Sequence, residues 1–146
     1  MNTAILTGGG DCPGLNAVIR AVSRKLLASR DGKILGVRNG WRGMLESDLF
    51  ELTPAKSDEI LAKGGTVLGT SRTNPVKEEG GLEAVLKTIE SQEIDAVVAI
   101  GGDDTLGVAR QLYEKHKVRI VGVPKTIDND LSGTDYTFGF DTAVHI

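Results

Sequence analysis

Cysteine is almost absent from this sequence. Cys12 stands alone, so no intrachain disulfide can form and a reducing, cytoplasmic setting is expected. Long apolar runs are missing as well. Nothing approaches the ~20 residues of a membrane-spanning helix. The opening MNTAILTGGG lacks the basic-then-apolar pattern of a secretion signal. No membrane partner is expected. Positive charge is not in excess either: the net charge is −3. That argues against a nucleic-acid partner or a broad anionic-lipid surface, and it leaves room for a local positive pocket. No internal repeat or low-complexity linker breaks the chain. Its 146 residues match one domain, large enough for a single core without staples.

Glycine is in excess. There are 19 in 146 residues, about twice the usual ~7%, and they cluster. The clusters fall where strand-like segments give way to helix-like ones. Residues 3–7 (TAILT) read as a short buried strand, and 17–29 as a helix with Pro13 in its approach. Residues 33–37 (KILGV), 95–100 (DAVVAI) and 119–123 (RIVGV) read as further strands. Residues 40–46 and 54–63 suggest short helices, the second ended by Gly64 and Gly65. Leu82, Val85, Leu86 and Ile89 mark one helical face. Residues 103–117 return to helical spacing, with Leu106, Ala109 and Tyr113 on one side, and 71–81 are a polar loop. Strands alternating with helices predict an α/β fold: an open, mostly parallel sheet with helices on both faces, Rossmann-like and three-layered.

In such sheets ligands bind outside the carboxyl ends of the strands. Three strand ends here carry unusual polar sequence and are expected to converge. The first is TGGGDCPGLN, residues 7–16. Its glycines would let backbone N–H groups approach a phosphate, and the helix that follows would add favourable partial charge. Two familiar motifs are nearly matched. Gly9 and Gly14 have the outer spacing of a Walker loop, but Leu15 stands where its lysine belongs. Gly8 and Gly10 begin a dinucleotide fingerprint, but Pro13 holds the third glycine position. A tight turn packed against its surroundings would also use glycine, although three in a row exceed that need.

The second strand end is AIGGDDTLG, residues 99–107. Asp103 or Asp104 could cap the following helix, which leaves one carboxylate over. Mg²⁺ is commonly held by one or two carboxylates together with substrate phosphates, so Asp103 is a candidate magnesium partner. The third is VPKTIDNDLSGTDYTFGF, residues 123–140. Asp128 and Asp130 are candidates for a general base, one carboxylate raising the other's proton affinity if buried. Lys125 offers a cation, Thr126 a hydroxyl, and Asp135 a further carboxylate. Arg72, in GTSRTNP, is either a phosphate clamp or an ordinary surface arginine. A backbone cradle, a magnesium carboxylate, two cations and a base form a coherent set for phosphoryl transfer.

Four blocks, GGDCPGLNAVIR (9–20), GGTVLGTSR (64–72), IGGDDTL (100–106) and PKTIDNDLSGTDYTFGF (124–140), together resemble the 6-phosphofructokinase family. They occur in the family's order over essentially the whole chain. GGDDT alone is less specific, because lipid kinases and NAD kinases carry a similar GGDGT; PKTIDND argues against both. The resemblance implies transfer of a phosphoryl group to the 1-hydroxyl of fructose 6-phosphate, with Mg²⁺, by a homo-oligomer at full length. By motif, Asp128 would accept the hydroxyl proton, and Thr126 and Asp130 would help to hold the sugar. Arg72 would stabilise the moving phosphoryl, Asp103 would serve Mg²⁺, and Gly9 and Gly10 would cradle the donor.

Two positions bear on the donor. ATP-using members look like GGDGS or GGDGT and PGTIDND. Here Asp104 and Lys125 replace glycines, which resembles the pyrophosphate-dependent branch. A carboxylate at 104 would repel the α-phosphate of ATP, at up to ~4 kcal/mol for unit charges ~4 Å apart in an effective dielectric of 20. Lys125 would hold a small, highly charged pyrophosphate that has no nucleoside to anchor it. Residues 136–146 read as a helix just beginning, and the family's second lobe, with its MGR block, is not in the sequence. The expectation is therefore an N-terminal donor-phosphate-binding lobe spanning 1–146, with weak phosphate binding and little turnover. An ATP-dependent enzyme and a non-catalytic phosphate- or nucleotide-binding module remain open alternatives.

Overall fold

The computed structural model describes residues 1–29 and 31–146. Five strands form one sheet: β1 (Thr3–Thr7), β2 (Ile34–Val37), β3 (Leu49–Glu51), β4 (Ala96–Gly101) and β5 (Ile120–Pro124), in the order β3-β2-β1-β4-β5. All neighbours are parallel except β3, which runs antiparallel to β2 at one edge. The helices are α1 (Leu15–Ser29), α2 (Trp41–Glu46), α3 (Pro54–Glu59), α4 (Gly81–Ser91), α5 (Asp103–His116) and α6 (Phe140–His145). The expected α/β architecture is present, and no helix among the described residues is long and apolar enough to cross a membrane.

The strands are apolar on both faces, as a doubly covered parallel sheet requires. Successive side chains point to opposite faces. Ala4 and Leu6 therefore join Trp41, Met44, Val85 and Leu112 in one core, while Ile5 joins Leu15, Ile19, Leu52 and Leu68 in the other. The first core lies under α2, α4 and α5, and the second under α1 and α3. Burying one such side chain contributes about 1.5–3 kcal/mol.

Several local expectations need correction. β3 has no alternating pattern long enough to mark it; it exists because β2 leaves an edge that the chain returns to. α3 stops at Glu59 and does not reach Lys63. Its continuation is replaced by a turn whose carbonyls at Lys63 and Gly64 bond to the Asn16 side chain. On α5 the buried stripe is Thr105, Val108, Ala109 and Leu112, and Tyr113 is exposed. The predicted stripe was turned by one residue. The helix expected over 136–146 is α6, limited to Phe140–His145. The topology nevertheless sets the C-terminal ends of β1, β4 and β5 side by side, Thr7 opposite Ile100 and Gly101 opposite Pro124.

Candidate active site

At those three strand ends lies a cavity of about 550 Å³. With one exception the residues predicted for the site line it: Gly9 and Gly10 after β1, Asp103 and Asp104 at the start of α5, Lys125, Thr126, Asp128 and Asp130 after β5, and Arg72 from the 71–73 loop. Asp135 does not line it.

The three glycines serve three different ends. A Cβ on Gly8 would collide with the Thr105 side chain, so this glycine is required by packing. Gly9 has φ of +81°, and its N–H donates to Ser71 O at 3.1 Å. That bond corrects the expectation that Gly9 offers its own N–H to a ligand; the glycine shapes the turn. Gly10 has open space around its Cα, and its N–H has no partner among the described residues. One glycine of the three is thus open to a visitor, and packing accounts for another.

The helix terminus at the cavity is also not the expected one. Residues 102–105, the start of α5, line it, and no residue of α1 does. Neither aspartate caps α5. Gly102 is the cap residue and makes no side-chain bond, while Asp103 and Asp104 occupy the first two helical positions. Carboxylates there are favoured by the helix dipole. Both are exposed. Asp104 lies 3.8 Å from the ammonium of Lys77, which follows Arg72 by one short 3-10 turn.

After β5 the chain continues the ladder for one bond, Lys125 N–H to Gly101 O at 3.0 Å. This turns the Lys125 side chain inward, where it is only 4% exposed. Its ammonium donates to Gly10 O and lies beside the Gly9 Cα. Burial pulls its proton affinity below that of an ordinary lysine, with Cys12, Asp11, Asp128 and Asp130 opposing. Thr126 donates to the Asp130 carboxylate and is buried. Asp128 and Asp130 themselves are exposed, so the burial expected of this pair is not found. Phe138 and Thr137 close the loop back: Thr137 Oγ1 donates to Thr126 O, and the Cys12 thiol to Phe138 O. Burial pushes that thiol above its ordinary value, against a smaller pull from Lys125.

Four carboxylates and two cations line the same space. Such a site would repel a bare phosphate chain, and a divalent cation reconciles the charges. Among the described residues no three His, Cys, Asp or Glu side chains group closely enough to cage a metal. Separate carboxylates suit Mg²⁺, which needs only one or two of them beside phosphate oxygens and water. The donor set therefore fits Mg²⁺ shared with a ligand.

Three side chains that shape the site escaped the sequence reading. Thr105 packs against Gly8 and Gly101, Thr7 links β1 to the 66–69 turn, and Asn16 grips the 63–67 turn. Their proximity to the glycine blocks was visible, but each acts on residues distant in sequence.

The family profile described as Phosphofructokinase matches residues 2–146. The pyrophosphate–fructose 6-phosphate 1-phosphotransferase of Amycolatopsis methanolica is 60% identical over the whole chain, which covers 42% of that relative. The ATP-dependent 6-phosphofructokinase of Mycobacterium bovis is 50% identical, again over the whole chain and 43% of the relative. Among solved structures, Pichia pastoris phosphofructokinase in the T-state superposes with a TM-score of 0.85 at 35% identity, over 95% of this chain and 16% of that one. The chain spans about two fifths of the length of the curated relatives it matches.

Proposed function

The chain belongs to the phosphofructokinase family, and we propose that it forms the donor side of a phosphoryl transfer from pyrophosphate to the 1-hydroxyl of fructose 6-phosphate. The observation that carries the donor assignment is Asp104, a carboxylate on the lining of the cavity that also holds Gly10, Arg72 and Lys125. A nucleotide's additional phosphate would meet that charge. Pyrophosphate, lacking a nucleoside, depends on the cations alone, and Lys125 is buried where it can grip a compact anion.

In this reading Lys125, Arg72 and the Gly10 N–H bind the donor, and Arg72 goes on to stabilise charge on the phosphoryl as it moves. Asp128, exposed to the cavity, takes the proton of the attacking hydroxyl. Thr126 and Asp130, already bonded to each other, orient the acceptor. Mg²⁺, held through Asp103, would supply charge neutralisation at the phosphate oxygens.

The ATP-dependent reading keeps one observation in its favour. Lys77 lies 3.8 Å from Asp104 and offsets part of its charge. Calorimetric titration with pyrophosphate and Mg²⁺, with ATP as competitor, separates the two. Pyrophosphate binding that ATP cannot displace is the expected result, and Asp104→Gly should then admit ATP. Preferential ATP binding to the unaltered chain would sink the pyrophosphate assignment.

A further inference from the structure

We propose that Asn16 is the positioning residue for Arg72, acting through a hydrogen-bond relay that runs from α1 to the glycine loop. The proposal rests on the reading of the cavity as a phosphate site. Asn16 is 2% exposed and lines no part of the cavity, yet nearly all of its polar capacity is directed at one turn. Its Nδ2 donates to Lys63 O at 3.0 Å and Gly64 O at 3.4 Å, and its Oδ1 accepts from Val67 N–H at 2.7 Å. Its own N–H donates to Gly65 O at 3.0 Å.

The turn held in this way passes the constraint on. Thr7 Oγ1 donates to Gly69 O at 2.8 Å. A hydroxyl has one proton, so the 2.9 Å contact between Thr7 and Thr66 has Thr66 as donor. Thr66 Oγ1 in turn accepts from Leu68 N–H. Leu68 O receives Asn39 N–H at 2.8 Å, and Asn39 O receives the Ser71 hydroxyl at 2.6 Å. Ser71 O then takes the Gly9 N–H. Arg72 is the next residue. No strand or helix carries it, so its backbone has no regular ladder of its own. The relay stands in for that ladder, and it ties the arginine to the same glycine loop that Lys125 grips.

An amide is the side chain that can do this, because the turn presents two carbonyls and an N–H to a single buried group. Asn16→Asp keeps the shape and replaces the Nδ2 donor with a second acceptor facing two carbonyls. The test measures amide hydrogen exchange and pyrophosphate binding with Mg²⁺ in four chains: Asn16→Asp, Thr66→Val, Arg72→Ala and Asn16→Asp/Arg72→Ala. Thr88→Val serves as control, since it removes a buried hydrogen bond to Met44 O remote from the cavity.

Faster exchange at Gly9 and Gly69 in Asn16→Asp, absent from the control, is the expected result. Pyrophosphate affinity should fall about tenfold, and Arg72→Ala should then weaken binding far less than it does in the unaltered chain. Thr66→Val, which cuts the relay in its middle and leaves Asn16 intact, should shift both readouts in the same direction by less. Unchanged exchange at Gly9, or full additivity with Arg72→Ala, would overturn the proposal. Absence of pyrophosphate binding in the unaltered chain would instead overturn the donor reading, and exchange at Gly9 and Gly69 would still decide the role of Asn16.

Discussion

The loop after β1 and the loop after β5 face each other across the cavity and are built differently. The first is short and hung on backbone bonds: Gly8 N–H to Ile100 O, Gly9 N–H to Ser71 O, and the Thr7, Thr66 and Asn16 bonds beneath. The second runs from Lys125 to Thr137 with its aspartates in solvent, tied mainly by Thr126, Thr137 and the inward-turned Lys125. A group that must be in place before a charge moves belongs on the rigid side, because preorganised dipoles need no rearrangement during the reaction. Groups that must receive an acceptor and release a product can sit on the looser side.

Altering the looser side at its proposed base gives the largest expected effect. Asp128→Asn should lower turnover by ~10²–10⁴ in the form of the protein that turns over, while pyrophosphate affinity in a calorimetric titration stays unchanged. A parallel fall in affinity would place Asp128 with the donor and erase the division between the two loops.

Lys125 joins the two loops, and its replacement separates function from stability. Removing a charged hydrogen bond of ~1.5–3 kcal/mol should weaken pyrophosphate binding by about one to two orders of magnitude in Lys125→Met. The thermal midpoint at neutral pH should not fall. Burial lowers this lysine's proton affinity, so its charged form costs the folded state at neutral pH, and that cost is relieved as pH rises through the lowered value. By the same sign, pyrophosphate affinity should decline with rising pH before an ordinary lysine would lose its proton. A pH series of titrations checks this, and a midpoint drop in Lys125→Met would show that the bond to Gly10 O outweighs the burial cost.

The smallest effect is at the rim. The Lys77–Asp104 pair is exposed, and such pairs contribute ~0.2–1 kcal/mol. Lys77→Met should therefore disfavour ATP relative to pyrophosphate by at most about fivefold, measured by competition. The shift should vanish in Asp104→Gly; if it persists there, Lys77 acts on the nucleotide directly.

Much of this arrangement was legible in the residues. The buried runs TAILT and DAVVAI could only be covered strands, and polar blocks following them had to meet at one end of a parallel sheet. Gly9, Gly10, Asp103, Asp104, Lys125, Thr126, Asp128 and Asp130 line one cavity for that reason, whereas Arg72 reaches it from a loop that follows no strand and Asp135 stays outside. The unpatterned pieces were not legible: β3, the early end of α3, and the outward turn of Tyr113. Each depends on which face a neighbour covers.

Local composition by itself determined the alternation of strands and helices and the roster of charged groups, because apolar periodicity and glycine placement act within a few residues of chain. The tertiary structure decided which glycine is free, which helix terminus meets the cavity, that Lys125 is buried while Asp128 is not, and that Asn16 holds the path to Arg72. Those outcomes turn on contacts such as Gly8 with Thr105 and Asn16 with Lys63. Their partners are tens of residues apart, and only the packed chain brings them within hydrogen-bond range.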